Sequence, residues 1–270
     1  MIEVFATPFV WDVGPEIFRI GSFAVRWYGV LFATGFILGF FVMRHAFIRE
    51  GKPEADLDAL LITMLIATVV GARLGHAFFY EPEYYFSNPG ELLKVWRGGL
   101  ASHGAAIGVL IGVYFYARNR RKQPYLWVVD RLSIAATLAG ACIRIGNFFN
   151  SEILGVPTNS EWGVVFARID AVPRHPAQLY ESLSYFLIFA GLFWLYRRLG
   201  ANTPRGLLFG CFLISVFMAR FFIEFVKVRQ AAYGAEMALS VGQLLSIPAI
   251  LLGIFFVVRA LLKQDKPLRA

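Results

Sequence analysis

The chain has 270 residues, 58% of them hydrophobic and 16% charged, with a net charge of +8 and a mean hydropathy of +0.60. That is too apolar for a soluble globule and too sparsely charged for a disordered chain, which leaves an integral membrane protein. A β-barrel is excluded as well, because the apolar stretches are long and continuous rather than short and alternating.

The first residues, MIEVFATPFVWDVGPEIF, lack a basic stretch followed by an apolar core, so no cleavable signal peptide is expected there. With Trp11 and several Phe they read as an interfacial segment at headgroup depth. A bilayer core takes about 20 apolar residues per helical crossing, and that ruler finds seven spans. They run from Phe23 to Met43, Leu57 to Tyr80, Leu100 to Ala117, Pro124 to Phe149, Leu179 to Tyr196, Gly206 to Val226 and Val241 to Leu262. The expected fold is therefore all-α, a polytopic bundle of about seven transmembrane helices, with residues 1–270 forming a single integral membrane domain.

Charge orients the bundle. Arg44, Arg49 and Lys52 follow the first span, and Arg118, Arg120, Arg121 and Lys122 follow the third. Arg197, Arg198 and Arg205 follow the fifth, and Arg259, Lys263, Lys266 and Arg269 close the chain. Positive residues stay inside, so the N-terminus is expected outside and the C-terminus in the cytoplasm. The same asymmetry, with attraction to anionic headgroups, accounts for most of the net charge, and nucleic acid is not an expected partner. Cys142 and Cys211 fall at opposite depths under this topology and are not expected to form a disulfide.

Four arginines lie within the spans: Arg73, Arg131, Arg144 and Arg220. A cation near the bilayer centre costs roughly 2.5 to 3.5 kcal/mol on insertion scales, so it faces a cavity, a partner or a ligand. Arg131 lies near an inner end and can snorkel, with Asp130 solvated beside it. Arg73, Arg144 and Arg220 share the outward half of their spans, where like charges repel unless an anion sits among them. Glu152, Glu181 and Glu224 are available as structural partners, and Glu224 follows Arg220 at i+4 on one helix face. A phosphate is the functional alternative, since guanidinium bonds phosphate oxygens bidentately and keeps its proton.

Other polar residues collect at the same level. Tyr28 opens the first span, and His103 opens the third among Gly98, Gly99, Gly104 and Gly108, which permit close helix packing or close approach of a ligand. His175 and Pro176 read as a helix start, with Gln178 and Glu181 satisfying its N-terminus. Asn150 and Ser151 read equally well as helix-termination residues and as ligand contacts.

The ordered set RIGNFFNSEILG, HGAAIG, HPAQLYE, RFFIEF and GQLLSIP, spread over seven spans, closely resembles the prolipoprotein diacylglyceryl transferases of bacterial inner membranes. The resemblance covers nearly the whole chain. It implies transfer of the diacylglyceryl group from phosphatidylglycerol to the lipobox cysteine thiol of a preprolipoprotein, giving a thioether and releasing sn-glycerol-1-phosphate. Through the matching motifs it marks His103, Arg144 and Arg220 for catalysis and Tyr28, Asn147, Glu152, Gly155 and Glu224 for the substrate, while shared depth adds Arg73 and the motif position adds Asn150. It implies phosphatidylglycerol, the signal peptide and membrane lipids as partners, and no metal or cofactor. Two positions depart from the family pattern, Ile143 before the motif arginine and Ala105 after the His-Gly pair, where glycine is usual.

The chemistry fits these residue types. A thiol of pKa about 8.5 is mostly protonated at neutral pH, so a base or a positive field is needed, and histidine suits proton abstraction. Displacement at an alkyl carbon develops charge on the departing phosphate oxygen, which favours preorganised cations at Arg144 and Arg220. Those arginines could also lower the thiol pKa themselves, leaving His103 to position. A transporter would need a polar route through both leaflets, and an intramembrane protease would need motifs such as HExxH or GxSxG, neither of which occurs.

Overall fold

The computed structural model describes residues 8–21, 23–229 and 238–264. Its helices are α1 (Trp27–Arg49), α2 (Ala55–Phe79), α3 (Pro82–Ser87), α4 (Ser102–Ala117), α5 (Tyr125–Asn150), α6 (Ala177–Leu199), α7 (Leu207–Ile223) and α8 (Val241–Gln264). Six of them, α1, α2, α5, α6, α7 and α8, are long and apolar enough to cross a membrane, and α4 is a shorter apolar helix. This is the all-α, multi-pass architecture expected from hydropathy. At 16 residues α4 spans about 24 Å, short of the ~30 Å hydrocarbon core. Gly98 and Gly99, both at positive φ, and the basic run from Arg118 bound it on either side.

Among the described residues, five short strands add to what hydropathy reveals. β1 (Phe9–Trp11) pairs in parallel with β4 (Val164–Phe166), which pairs antiparallel with β5 (Pro173–Arg174). β2 (Glu16–Ile20) and β3 (Phe23–Arg26) form a hairpin. Within the segment expected to be interfacial, Phe9–Trp11 is a strand, and Trp11 packs on Phe148 with ring centroids 4.5 Å apart.

The chain divides into two compact units, Met43–Arg131 and Met1–Val42 with Leu132–Ala270. In the smaller unit α2 and α4 meet backbone to backbone. A Cβ on Gly71 would lie 2.5 Å from the Gly104 carbonyl oxygen, and one on Gly75 would lie 2.6 Å from the Gly104 Cα. Gly108 stands against Ala67 and Gly71. Of the two uses open to these glycines, Gly104 and Gly108 serve helix packing, as small residues spaced four apart do in membranes.

The smaller unit also corrects the reading of Arg131 and Asp130. Their side chains are 1% and 0% exposed, so neither snorkels nor is solvated. The Glu50 carboxylate lies beneath Arg131, accepting from its Nε at 3.0 Å and its Nη2 at 2.9 Å, while Trp127 Nε1 donates to the other Glu50 oxygen at 2.6 Å. A desolvated ion pair survives burial when both partners keep their hydrogen bonds.

In the larger unit α7 and α8 cross at another glycine pair, where a Cβ on Gly210 or on Gly253 would lie 2.8 Å from the other's carbonyl oxygen. α1 meets α5 where a Cβ on Gly35 would lie 3.0 Å from the Ala139 Cα. Cys142 and Cys211 are not joined in a disulfide, as expected.

Candidate active site

The stretch IRIGNFFNSEILG ends α5 and turns sharply. The Ser151 amide donates to the Phe148 carbonyl at 3.0 Å and the Glu152 amide to the Asn147 carbonyl at 3.1 Å. This is the paired bonding of a Schellman cap, whose left-handed residue is ordinarily glycine. Here it is Ser151, at φ 53°, and Ile153 two residues on has φ 58°. A β-branched residue in that region carries strain of order 1 to 3 kcal/mol. Arg168 Nη2 supports the turn by donating to the Phe149 carbonyl at 3.1 Å and to Ser151 Oγ at 2.9 Å.

Beyond the turn the chain is zipped between two neighbours. Gly155 N donates to His175 O at 3.1 Å, Val156 N to Val226 O at 2.9 Å and Val228 N to Leu154 O at 3.0 Å. A Cβ on Gly155 would collide with the His175 carbonyl and lie 2.8 Å from the Val226 carbonyl, so only glycine fits this ladder. The ladder bridges Gly155 to Lys227 and thereby carries Lys227, just past α7, into the interior.

Charges converge there from several helix ends. Glu181, fully buried near the start of α6, faces Arg144 Nε at 3.1 Å and Lys227 Nζ at 3.3 Å. Lys227 Nζ lies 3.3 Å from Glu224 Oε2 as well. Arg144 Nη1 donates to Asn147 Oδ1 at 3.2 Å, and Asn147 Nδ2 donates to Glu152 Oε1 at 2.6 Å. Arg220 Nε is buried without a hydrogen-bond partner among the described residues. The Glu224 carboxylate rests on Gly242, where a Cβ would come within 2.6 Å of it. That is the first turn of α8, whose positive dipole end favours an anion. The start of α8 is fixed by a reciprocal cap, with Ser240 N donating to Gln243 Oε1 at 2.9 Å and Gln243 N to Ser240 Oγ at 3.2 Å. Tyr28, at the start of α1, packs on Gly146, where a Cβ would lie 3.0 Å from its ring.

Of the residues singled out from the sequence, Tyr28, Arg144, Asn147, Asn150, Glu152, Gly155, Arg220 and Glu224 all lie in the larger unit, at the ends of α1, α5 and α7 and in the segments that follow α5 and α7. Glu224 pairs with Lys227, and not along the expected i+4 face with Arg220. Glu181 and Gln178 do not serve the start of α6, which carries Pro176 at its N-cap and no side-chain cap bond. Gln178 Nε2 instead donates to the Glu152 carbonyl at 2.6 Å. Lys227 escapes a sequence reading because the apolar span ends at Val226, which files a following lysine as a flank. Its i+3 spacing from Glu224 in RFFIEFVK is the one available signal.

Arg73 and His103 belong to the smaller unit. Arg73 clasps a loop. Its guanidinium donates to the backbone carbonyls of Leu92, Gly98, Gly99, Glu91 and Lys94, at 3.2, 2.5, 3.3, 2.6 and 3.3 Å. Five bonds use every N–H it has. His103 is exposed on the first turn of α4, its ring 5.4 Å from Phe79 and 5.7 Å from Tyr80 between centroids. Such a ring can exchange a proton with a group brought to it.

Proteins named phosphatidylglycerol--prolipoprotein diacylglyceryl transferase from Chloroherpeton thalassium and Tolumonas auensis are each 52% identical to this chain, over 92% and 90% of it and 92% and 94% of their own lengths. One from Porphyromonas gingivalis is 40% identical over 93% of this chain and 94% of its own. The family model described as Prolipoprotein diacylglyceryl transferase matches residues 15–259, from the β2 hairpin into α8, and the chain belongs to that family.

Proposed function

We propose that this chain moves the diacylglyceryl group of phosphatidylglycerol onto the lipobox cysteine thiol of a prolipoprotein. Sulfur forms a bond to the glyceryl carbon and the bond from that carbon to the phosphate oxygen breaks. The electron pair leaves on phosphate as sn-glycerol-1-phosphate, and the thiol proton passes to a base. No redox partner is required.

The observation that carries this reading is the gathering of Arg144, Arg220 and Lys227 at one end of the larger unit, with a buried Arg220 Nε left open. Cations fixed before the reaction stabilise charge growing on the departing phosphate without reorganising. Arg144 and Arg220 are assigned that clamp. Asn147 and Glu152 orient Arg144, Gly155 and Glu224 fix Lys227, and Tyr28 with Asn150 completes the lipid site. His103 is assigned the base on its chemistry, and Arg73 the holding of its loop. The chain acts as one integral membrane domain in the bacterial inner membrane, N-terminus outside and C-terminus in the cytoplasm, as the basic flanks favour.

The test is glycerol-phosphate release from phosphatidylglycerol vesicles by purified protein with a lipobox peptide. Folded Arg144→Ala is expected to lose turnover, and wild-type turnover by that variant would remove the clamp. Normal turnover by His103→Gln would pass the proton to an arginine-activated thiolate and leave the clamp standing.

A further inference from the structure

In the smaller unit α2 and α4 run antiparallel, since Gly75 and Gly71 meet Gly104 while Gly112 meets Ala67. Their close approach leaves a groove along one side of the pair, with a cavity volume of about 530 Å³. One wall is a single i+4 ridge of α2, formed by Ile62, Ile66, Val70, Leu74 and Phe78. The other is the α4 ridge Ile107, Ile111 and Phe115. All of these wall side chains are exposed. The one hydroxyl in the lining, Thr63 Oγ1, already donates to the Ala59 carbonyl at 2.6 Å, so the groove calls for an apolar occupant.

Each ridge ends in a residue of another kind. One turn before Ile62 the α2 ridge carries Asp58, which is exposed and has no ion pair among the described residues. One turn before Ile107 the α4 ridge carries His103, also exposed, its ring 5.4 Å from that of Phe79, which lines the same end of the groove. Because the helices are antiparallel, Asp58 and His103 stand at opposite ends and on opposite walls. Near Asp58 the α4 wall holds Arg118, its guanidinium 6.0 Å from the Phe115 ring centre, while Asp56 is taken up by Arg120 at 3.1 Å.

Length and end chemistry select the occupant. Phe78 follows Ile62 by 16 positions, about 24 Å of helix and most of the ~30 Å hydrocarbon core. An acyl chain entering from one leaflet covers about half of that core and makes no use of an acid at the far end. A secretory signal peptide has a basic start and then about 7 to 15 apolar residues, which as a helix extend about 10 to 22 Å. The thiol to be modified lies past that apolar core. Laid in the groove, such a helix sets its basic start at Asp58, its apolar face on the two ridges and its thiol at the His103 end. Arg118 repels the basic start from the α4 wall and leaves it to Asp58.

We propose that the groove between α2 and α4 docks the signal peptide of the prolipoprotein as a helix, basic start toward Asp58 and lipobox cysteine toward His103. This rests on the transferase reading above and adds to it the surface that receives the peptide. The direction agrees with the membrane orientation proposed there, which puts Asp58 on the cytoplasmic side, where basic flanks remain. Contacts at i, i+3, i+4 and i+7 of the docked helix meet the ridges, as in other helix-in-groove complexes. The docked helix brings the thiol to the imidazole that is assigned to take its proton.

The experiment measures transfer in phosphatidylglycerol vesicles to two substrates, a full signal peptide with its lipobox and a short lipobox peptide without the apolar core. Val70→Trp and Ile111→Trp fill the groove from opposite walls. Each is expected to raise KM for the full signal peptide about tenfold, with KM for phosphatidylglycerol and turnover of the short peptide unchanged. Asp58→Lys should raise the same KM, and a signal peptide with an acidic start should restore it. A photo-cross-linker at position 66 should join the apolar core of the full peptide, which reads the contact without filling the groove. An unchanged KM for the full signal peptide in both tryptophan variants overturns the docking site and leaves the transferase standing. So does a rise in KM for phosphatidylglycerol instead, which gives the groove to an acyl chain, or a cross-link from position 66 to a second copy of this chain alone. Absence of transfer to either peptide by the unmodified protein fells the transferase reading itself, and this one with it.

Discussion

Arg144 and Lys227 close on the two oxygens of a single carboxylate, Glu181, at 3.1 and 3.3 Å, although the three residues come from α5, α6 and the segment beyond α7. Glu181 is fully buried, Lys227 is 5% exposed and Arg144 17%. Removing the shared anion leaves two desolvated cations facing each other. Breaking a buried pair in this way costs about 3 to 5 kcal/mol. Glu181→Gln is therefore expected to lower thermal stability in detergent markedly and to abolish transfer. A Glu181→Gln protein that melts with the wild type would mean the cations are held by something else.

Gly155 makes a sharper steric prediction. Its Cα faces the carbonyl oxygens of His175 and Val226, which belong to backbone ladders and cannot swing aside as a side chain can. Gly155→Ala is expected to cost about 1 to 3 kcal/mol by overpacking and to displace Lys227 from Glu181. Gly146→Ala meets the edge of the Tyr28 ring at 3.0 Å, a softer obstacle, and should cost less. Thermal melts of the two variants side by side check the order, and a milder effect at Gly155 would contradict it.

The clasp at Arg73 separates support of a loop from contact with substrate. Its five carbonyl bonds tie residues 91–99 to α2. Lysine offers three donors from one point and cannot replace a planar fork with five. Arg73→Lys should expose residues 91–99 to proteolysis and amide exchange while the folded fraction keeps its KM for phosphatidylglycerol. A rise in KM with unchanged loop protection would return Arg73 to the lipid.

The spans are legible in the amino-acid sequence, because a bilayer sets helix length, and apolar runs such as Val241 to Leu262 leave little latitude. Arg144, Arg220, Asn147 and Glu152 are legible too, because polar residues inside apolar runs carry a cost that calls for a reason. The strands are not: Phe9–Trp11 is three residues long, and its partner Val164–Phe166 lies more than 150 residues away. The role of Arg73 is hidden because its partners are backbone carbonyls, which no pattern of side chains records. Glu181 and Lys227 are hidden for another reason, since what unites them is the ladder through Gly155, a pairing of segments far apart in sequence.

The ladder has an acid-sensitive edge. Arg174 bridges to Pro157, and its Nη2 lies 2.5 Å from Asp170 Oδ2, while the Val172 amide donates to Asp170 Oδ1 at 3.0 Å. The Arg174 guanidinium, and after it the Val172 amide, hold the Asp170 carboxyl below its ordinary value of 3.8. A carboxyl whose folded pKa is depressed contributes stability that is fully present above the unfolded value and is lost as pH falls through the folded one. Amide exchange at Val172 is therefore expected to be slow and steady above about pH 5, and to lose protection only as acid passes below 3.8, once the intrinsic exchange rate is divided out. Asp170→Asn should remove that pH dependence and leave protection at its low-pH level throughout. The pair is only partly buried and the contribution modest, so the arm from Pro173 should loosen without unfolding the helices. Protection at Val172 that stays constant through this range in the wild type would show that Asp170 does not govern the turn.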